Sequence, residues 1–266
     1  MRFKKTSLAL TLLAALSMTN TVQAVTNVDS ELQQYKTFAV NKIDALVIQT
    51  QQFVDYLDQG KIAEAKALYP LVRMNFETAE PIAESFGDLD PRIDSRKADL
   101  EPGENWTGFH PIEEILWVHN TTDGTEKYTA QLMSDVKELR AKVATVEVTP
   151  ELMVQGAVDL LNEVSTSKIS GEEEIFSHTD LYDFQGNIDG AEKIFVIFRP
   201  KLAAKNADLV KTLDNRFAAV NQLLAAQKIN GKFKYYTELT DQDIAGLAEA
   251  VNKLGEPLAQ MGIILE

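Results

Sequence analysis

Ser30-Glu31-Leu32-Gln33-Gln34-Tyr35-Lys36-Thr37-Phe38-Ala39-Val40-Asn41-Lys42-Ile43 opens a stretch that runs on to Asp58 with its apolar residues three and four apart. Leu32, Tyr35, Phe38, Ala39, Ile43, Leu46, Val47, Thr50, Phe53, Val54 and Leu57 follow the 3.6-residue period, so they share one face of a single long helix. Such a stripe must be buried against partner helices, and the unit it predicts is a helix bundle.

The same spacing returns along the chain. Gln59-Gly60 ends the first helix, and a second from Lys61 carries Ala63, Ala67, Leu68, Leu71, Val72, Phe76, Ala79, Ile82, Ala83 and Phe86 before Gly87. Pro70 and Pro81 predict a break or a kink in it, and a kink frees backbone carbonyls beside which side-chain sites form. A further helix spans Glu126 to Val146, and Thr149-Pro150 supplies the cap and first residue of another that reaches Val164. The last third alternates helical runs (Ala191 to Phe198, Lys201 to Gln227, Asp241 to Ile264) with breaks expected at Pro200, Gly231 and Gly255-Glu256-Pro257. Only Ile194 to Phe198 and Lys232 to Tyr236 look β-like, and both are short. The expected fold is all-α: two antiparallel four-helix bundles packed side by side, about 25–147 and 148–266, with the junction between Val146 and Pro150.

Met1-Arg2-Phe3-Lys4-Lys5 is basic, Ser7 to Met18 is apolar but too short to span a bilayer, and Val22-Gln23-Ala24 ends in a small residue. Residues 1–24 therefore read as a secretory signal peptide, and the remainder as an exported, periplasmic protein that is not membrane-embedded. The sequence holds no Cys, which excludes a disulfide, a thiolate ligand, a thiol nucleophile and a lipid-bearing Cys at the cleavage site. Any metal must be held by His, carboxylates and backbone oxygen. A net charge of −14 repels nucleic acid and suits cations, though acidity also serves solubility alone.

Three places carry chemistry. In Trp106-Thr107-Gly108-Phe109-His110-Pro111-Ile112-Glu113, an imidazole and a carboxylate lie three apart on one helical turn, where they can share a metal ion or serve as helix caps. The apolar run around them predicts burial, and buried polar groups need partners. Glu77, Glu80 and Glu84 stack along one face of the second helix; three like charges there repel, and a cation would relieve them, unless the face is merely solvated. Gly87 to Asp99 is a turn-rich, Asp-dense connector in which Arg92 and Arg96 can pair with acids. The third place runs from Glu172 to Asp183, with Glu174 to His178 expected as one helical turn, and is either a second metal site or a buried polar seam between bundles. His119 reads as an exposed His at a helix C-terminus.

Tyr69, Glu77-Thr78-Ala79-Glu80-Pro81-Ile82-Ala83-Glu84, Asp88-Leu89-Asp90, Ile93-Asp94, Arg96, Trp106-Thr107-Gly108-Phe109-His110 with Glu113, Lys168-Ile169-Ser170-Gly171-Glu172-Glu173-Glu174, Ser177-His178-Thr179-Asp180-Leu181 and Asp183-Phe184 together resemble the EfeO/EfeM group of imelysin-like periplasmic proteins. The resemblance covers the chain beyond its signal. It implies a helical, metal-binding protein of an EfeUOB-type iron uptake system, working with an EfeB-like haem peroxidase and an EfeU-like inner-membrane permease. It further implies the short EfeM-type form without a cupredoxin domain. The family's metal cluster falls on Glu77, Glu80, Asp94 and His110, with Glu113 completing a His-x-x-Glu signature. Pro111 departs from the basic residue common there, and the connector from Asp94 to His110 is shorter than in some members.

The bound metal is expected to be iron, with zinc, manganese and copper also compatible with one imidazole among carboxylates. The resemblance also leaves two alternatives, an imelysin-like zinc metallopeptidase and an alginate-binding protein. No second His follows His110 by one turn, so a binding protein rather than an enzyme is expected. Lys193, Arg199, Lys201 and Lys205 are the nearest approach to a basic cluster for an anionic polymer.

Overall fold

A computed structural model describes residues 27–265, so the expected signal peptide at 1–24 lies outside the described residues. The chain forms α1 (Asp29–Asp58), α2 (Ile62–Ala83), the short α3 (Leu89–Asp94) and α4 (His110–Glu114), which continues as one π-helical turn, Ile115–His119. Then follow α5 (Glu126–Thr145), α6 (Pro150–Thr166), α7 (Asp180–Lys205), α8 (Ala207–Ala226) and α9 (Asp241–Leu265). Strand among the described residues is confined to a two-by-two hairpin, β1 (Lys228–Ile229) and β2 (Lys232–Phe233). The fold is all-α.

The stripe on α1 is buried as its spacing requires: Tyr35, Ala39, Ile43, Leu46, Thr50, Phe53, Val54 and Leu57 all face inward. α2 lies against α1 on one side and α7 on the other; α5 packs on α1, and α6, α7, α8 and α9 pack on one another. The buried apolar side chains form one continuous cluster.

Several expected helix ends are absent. Pro70 and Pro81 lie inside α2, Pro200 inside α7 and Pro257 inside α9. One proline costs a helix one hydrogen bond, and burial of the faces on both sides outweighs that loss. At Pro81 the carbonyl deprived of its donor is that of Glu77, and Asn187 Nδ2 of α7 donates to it instead at 3.3 Å. Ile194 to Phe198 is helical rather than β-like, because α7 is buried on several faces and its sequence loses the amphipathic period. Conversely, the run from Lys201 to Gln227 breaks at Asn206, whose side chain caps α8 by accepting from the Leu209 amide at 3.0 Å. Glu174 to His178 closes a single turn, the His178 amide donating to the Glu174 carbonyl at 2.7 Å, but no helix continues from it: the segment is a chain of tight turns and His178 adopts a left-handed φ of 58°.

Two glycines bring the backbones that carry the site together. A Cβ on Gly186 would stand 2.7 Å from Glu77 Cβ, and one on Gly190 would stand 2.6 Å from the Thr78 carbonyl oxygen. α7 can therefore lie directly on the segment of α2 that bears Glu77 and Glu80.

Candidate metal centre

The Trp106 to His110 segment docks on the end of α3 through its backbone and polar side chains. Trp106 Nε1 donates to the Ser95 carbonyl at 2.8 Å, Thr107 Oγ1 to the Arg92 carbonyl at 2.8 Å, and the Phe109 amide to the Ile93 carbonyl at 3.0 Å. Gly108, at φ 90°, passes so close to the Ile93 carbonyl that no Cβ would fit. This three-point dock sets His110, the first residue of α4, beside Asp94, the last of α3.

The imidazole is buried, 1% exposed. Its Nδ1 faces Glu113 Oε2 at 3.2 Å, and the other Glu113 oxygen accepts the amides of Ser177 at 2.7 Å and Phe176 at 3.0 Å. Glu113 is thus anchored on both sides and fixes the ring, the arrangement in which a carboxylate orients a metal-binding His. The free face is Nε2, which lies 3.4 Å from Asp94 Oδ1 without a hydrogen bond and has no other partner.

The two polar islands of the sequence meet in one cluster. Glu173 joins Asp94 and His110 with ligand atoms close enough to share one ion; Glu174 joins His110 and Glu113 in the same way, and Glu77, Glu80 and Asp94 form a third such group. All five residues expected from the sequence, Glu77, Glu80, Asp94, His110 and Glu113, fall inside this cluster. The segment from Glu172 to Asp183 is part of it rather than a separate place.

Two cations to which the sequence reading gave no role sit within it. Arg73, fully buried one turn before Glu77, reaches Asp94, Glu77 Oε1 at 2.5 Å, Glu173 at 3.1 Å and Glu174 at 2.8 Å. Lys168, 1% exposed, places Nζ 2.9 Å from Glu77 Oε2 and 2.9 Å from Glu80 Oε1. The repulsion expected along α2 is therefore relieved from within the chain. A signal was present for each: Arg73 is a cation one turn from Glu77 in an otherwise apolar stretch, and Lys168 heads the Lys168–Glu174 run that carries the family resemblance.

Even so, acids outnumber cations. Burial raises the Glu80, Glu174 and Asp183 carboxyls well above the usual range, helped by Glu77, Glu113 and Glu174 respectively. Burial also lifts Glu173 to about 7. Glu77 goes the other way: burial would raise it, but Lys168 and Arg73 hold it low. Burial opposes charge on His110, yet Asp94 and Glu113 on either side of the ring prevail and hold its pKa high. Both Asp183 oxygens lack a hydrogen-bond partner. Protons thus sit where positive charge is wanted, and a cation could replace them.

The cluster opens to solvent through a cleft of about 390 Å³ lined by Glu80, Glu84, Asp90, Asp94, Asp99, Asp159, Glu163 and Glu173, with Arg96 as its only basic residue. Burial lifts Asp90 to about 8 and Glu84 to about 7, each assisted by a neighbouring acid. A wall of one sign over a low-dielectric interior draws in ions of the other.

The donor set, fold and motif order can now be placed among known proteins. The family model described as Imelysin matches residues 31–261. The chain belongs to the imelysin family. Within it, the chain is 48% identical over 238 residues to an EfeM/EfeO family lipoprotein of Staphylococcus haemolyticus, covering 88% of this chain and 83% of that protein. A second protein of the same description, from Staphylococcus aureus, is 46% identical over 248 residues, covering 90% and 87%. The chain is of the EfeM/EfeO type. The word lipoprotein describes those relatives; the present sequence contains no cysteine. Among the described residues, no helix is long and apolar enough to cross a membrane.

Proposed function

We propose that the protein is the extracytoplasmic cation carrier of an EfeUOB-type iron uptake system, binding iron in the buried cluster and delivering it towards an inner-membrane permease of the EfeU kind, with an EfeB-like peroxidase as a further partner. The observation that carries this reading is His110 Nε2: a buried imidazole nitrogen, with the ring oriented by Glu113, without a hydrogen-bond partner, and aimed at Asp94 beneath an acid-lined cleft. Asp94, His110 and Glu173 would hold the ion, Glu113 would orient the imidazole, and Glu77 and Glu80 would shape the field from behind. One imidazole with carboxylate oxygens suits ferrous iron, and equally manganese or zinc. Iron is preferred because the family resemblance points to it.

Titration calorimetry with ferrous iron under anaerobic conditions, beside manganese and zinc, tests the proposal on the wild type and on His110→Ala. Tight binding that disappears in the variant, with helical circular dichroism unchanged, is the expected result. Equal affinity in the two proteins would remove His110 from the site, and no binding of any ion by the wild type would end the carrier reading.

A further inference from the structure

Lys168 does more than neutralise acids. Its ammonium is surrounded as a bound cation would be: Glu77 Oε2 at 2.9 Å, both Glu80 oxygens at 2.9 and 3.1 Å, and Glu173 Oε1 at 3.7 Å. Asn187 Nδ2 fixes the same two carboxylates from behind, at 2.8 Å from Glu77 Oε2 and 2.6 Å from Glu80 Oε2. Glu173 stands between this seat and the Asp94–His110 pair, since it belongs to the group that can share an ion with them while also facing Lys168. Carboxylates disposed around two adjacent positive positions, with one acid between them, are the plan of a two-cation centre. Here the first position, between Asp94 and His110, is approached by the Arg73 guanidinium, which bonds Asp94 Oδ1 and Glu173 Oε1 but leaves His110 Nε2 without a hydrogen bond, and the second is filled by the Lys168 ammonium.

We propose that Lys168 is a built-in occupant of a second cation position, and that it restricts the centre to a single metal ion. This rests on the metal-binding reading above and adds a stoichiometry to it. The lysine is delivered by the short 3₁₀ turn Lys168–Ser170 that closes α6, and Gly171 ends this turn at φ 79°, packed against the Tyr236 ring so closely that no Cβ would fit. Tyr236 also donates to the Ile169 carbonyl at 2.6 Å, so the turn is held in place. An ammonium cannot be shared out among ligands as a divalent ion is, but it satisfies the same oxygens and cannot dissociate from the chain.

The test counts ions. Wild-type protein, Lys168→Met and the double variant Lys168→Met/Glu80→Gln are loaded with manganese, desalted, and analysed for metal per chain and by electron paramagnetic resonance. The wild type is expected to hold one manganese with an isolated-ion spectrum. Lys168→Met should hold two with an exchange-coupled spectrum, and the double variant, having lost a carboxylate with the lysine, should return to one. One ion in folded Lys168→Met, or two in the wild type, overturns the proposal. No ion in the wild type would instead sink the carrier reading itself. Independently of any variant, ¹⁵N-lysine spectra of the wild type should retain a slowly exchanging Lys168 ammonium at saturating zinc, and its loss as a second zinc binds would equally refute the inference.

Discussion

At the scale of single residues, Glu113 and Glu77 show how far position in a network exceeds position in a motif. Spacing left Glu113 as a ligand or a helix cap and Glu77 as part of a cation-binding or solvated face, and the family resemblance implied metal-site roles for both. In the folded chain Glu113 spends one oxygen on two backbone amides and the other on His110, so Glu113→Gln should leave the fold intact and lower metal affinity by about 10–100-fold, the usual cost of disturbing the partner of a metal-binding His. Calorimetry decides this, and an unchanged affinity would deny Glu113 its orienting role. Glu77 is the more instructive case, because like-charge repulsion along α2 would make Glu77→Gln stabilising. With Arg73, Lys168 and Asn187 all bonded to its carboxylate, the change should instead cost the metal-free protein about 1–3 kcal/mol. Urea unfolding of the apo protein that showed a gain would restore the repulsion picture. The sequence displayed the acids because they repeat on one helix; it displayed Lys168 in a motif but hid its contact with them, which depends on a turn from elsewhere in the chain.

At the scale of elements, the helices themselves were legible wherever one face is buried and the other is wet, as in α1, α5 and α6. Legibility failed where burial is nearly complete. α7 carries Phe184, Ile188, Ala191, Ile194, Phe195, Ile197 and Phe198 inward on several faces, so its pattern gave a strand-like run and a false stop at Pro200. The same helix holds the close crossing on which the site depends. Gly186→Ala and Gly190→Ala should each cost about 1–3 kcal/mol by forcing α7 away from α2. Only Gly186→Ala, whose new methyl meets Glu77 Cβ, should also shift Glu77 and weaken metal binding. Thermal melts with paired titrations separate the two effects, and equal affinity losses in both variants would mean that the crossing acts through helix spacing alone.

At the scale of the whole molecule, the net charge of −14 suited either a protein that meets cations or one that is merely soluble, and did not say where a cation would be met. The structure concentrates acids in and above one cleft, so the balance of protons there should govern stability. In the folded state Asp180 is lifted to about 6, Glu84 and Glu173 to about 7 and Asp90 to about 8, in each case chiefly by burial. Unfolded, such groups titrate near about 4. Between these values the folded chain holds protons that the unfolded chain has released, so unfolding liberates protons and stability falls as pH rises from about 4 through about 8. Glu77 and Glu113, held low in the fold, act in the opposite sense: their contribution is present above their unfolded pKa and is lost only in more acid solution. The metal-free protein should therefore be most stable near about pH 5 and melt several degrees lower at about pH 8. A bound divalent ion replaces those protons, so the rise in melting temperature given by saturating manganese should be larger at the higher pH. Scanning calorimetry of apo and loaded protein across this range checks both signs together. An apo melting temperature that climbs between the two pH values would show that the buried acids are already compensated within the chain, leaving a cation nothing to replace.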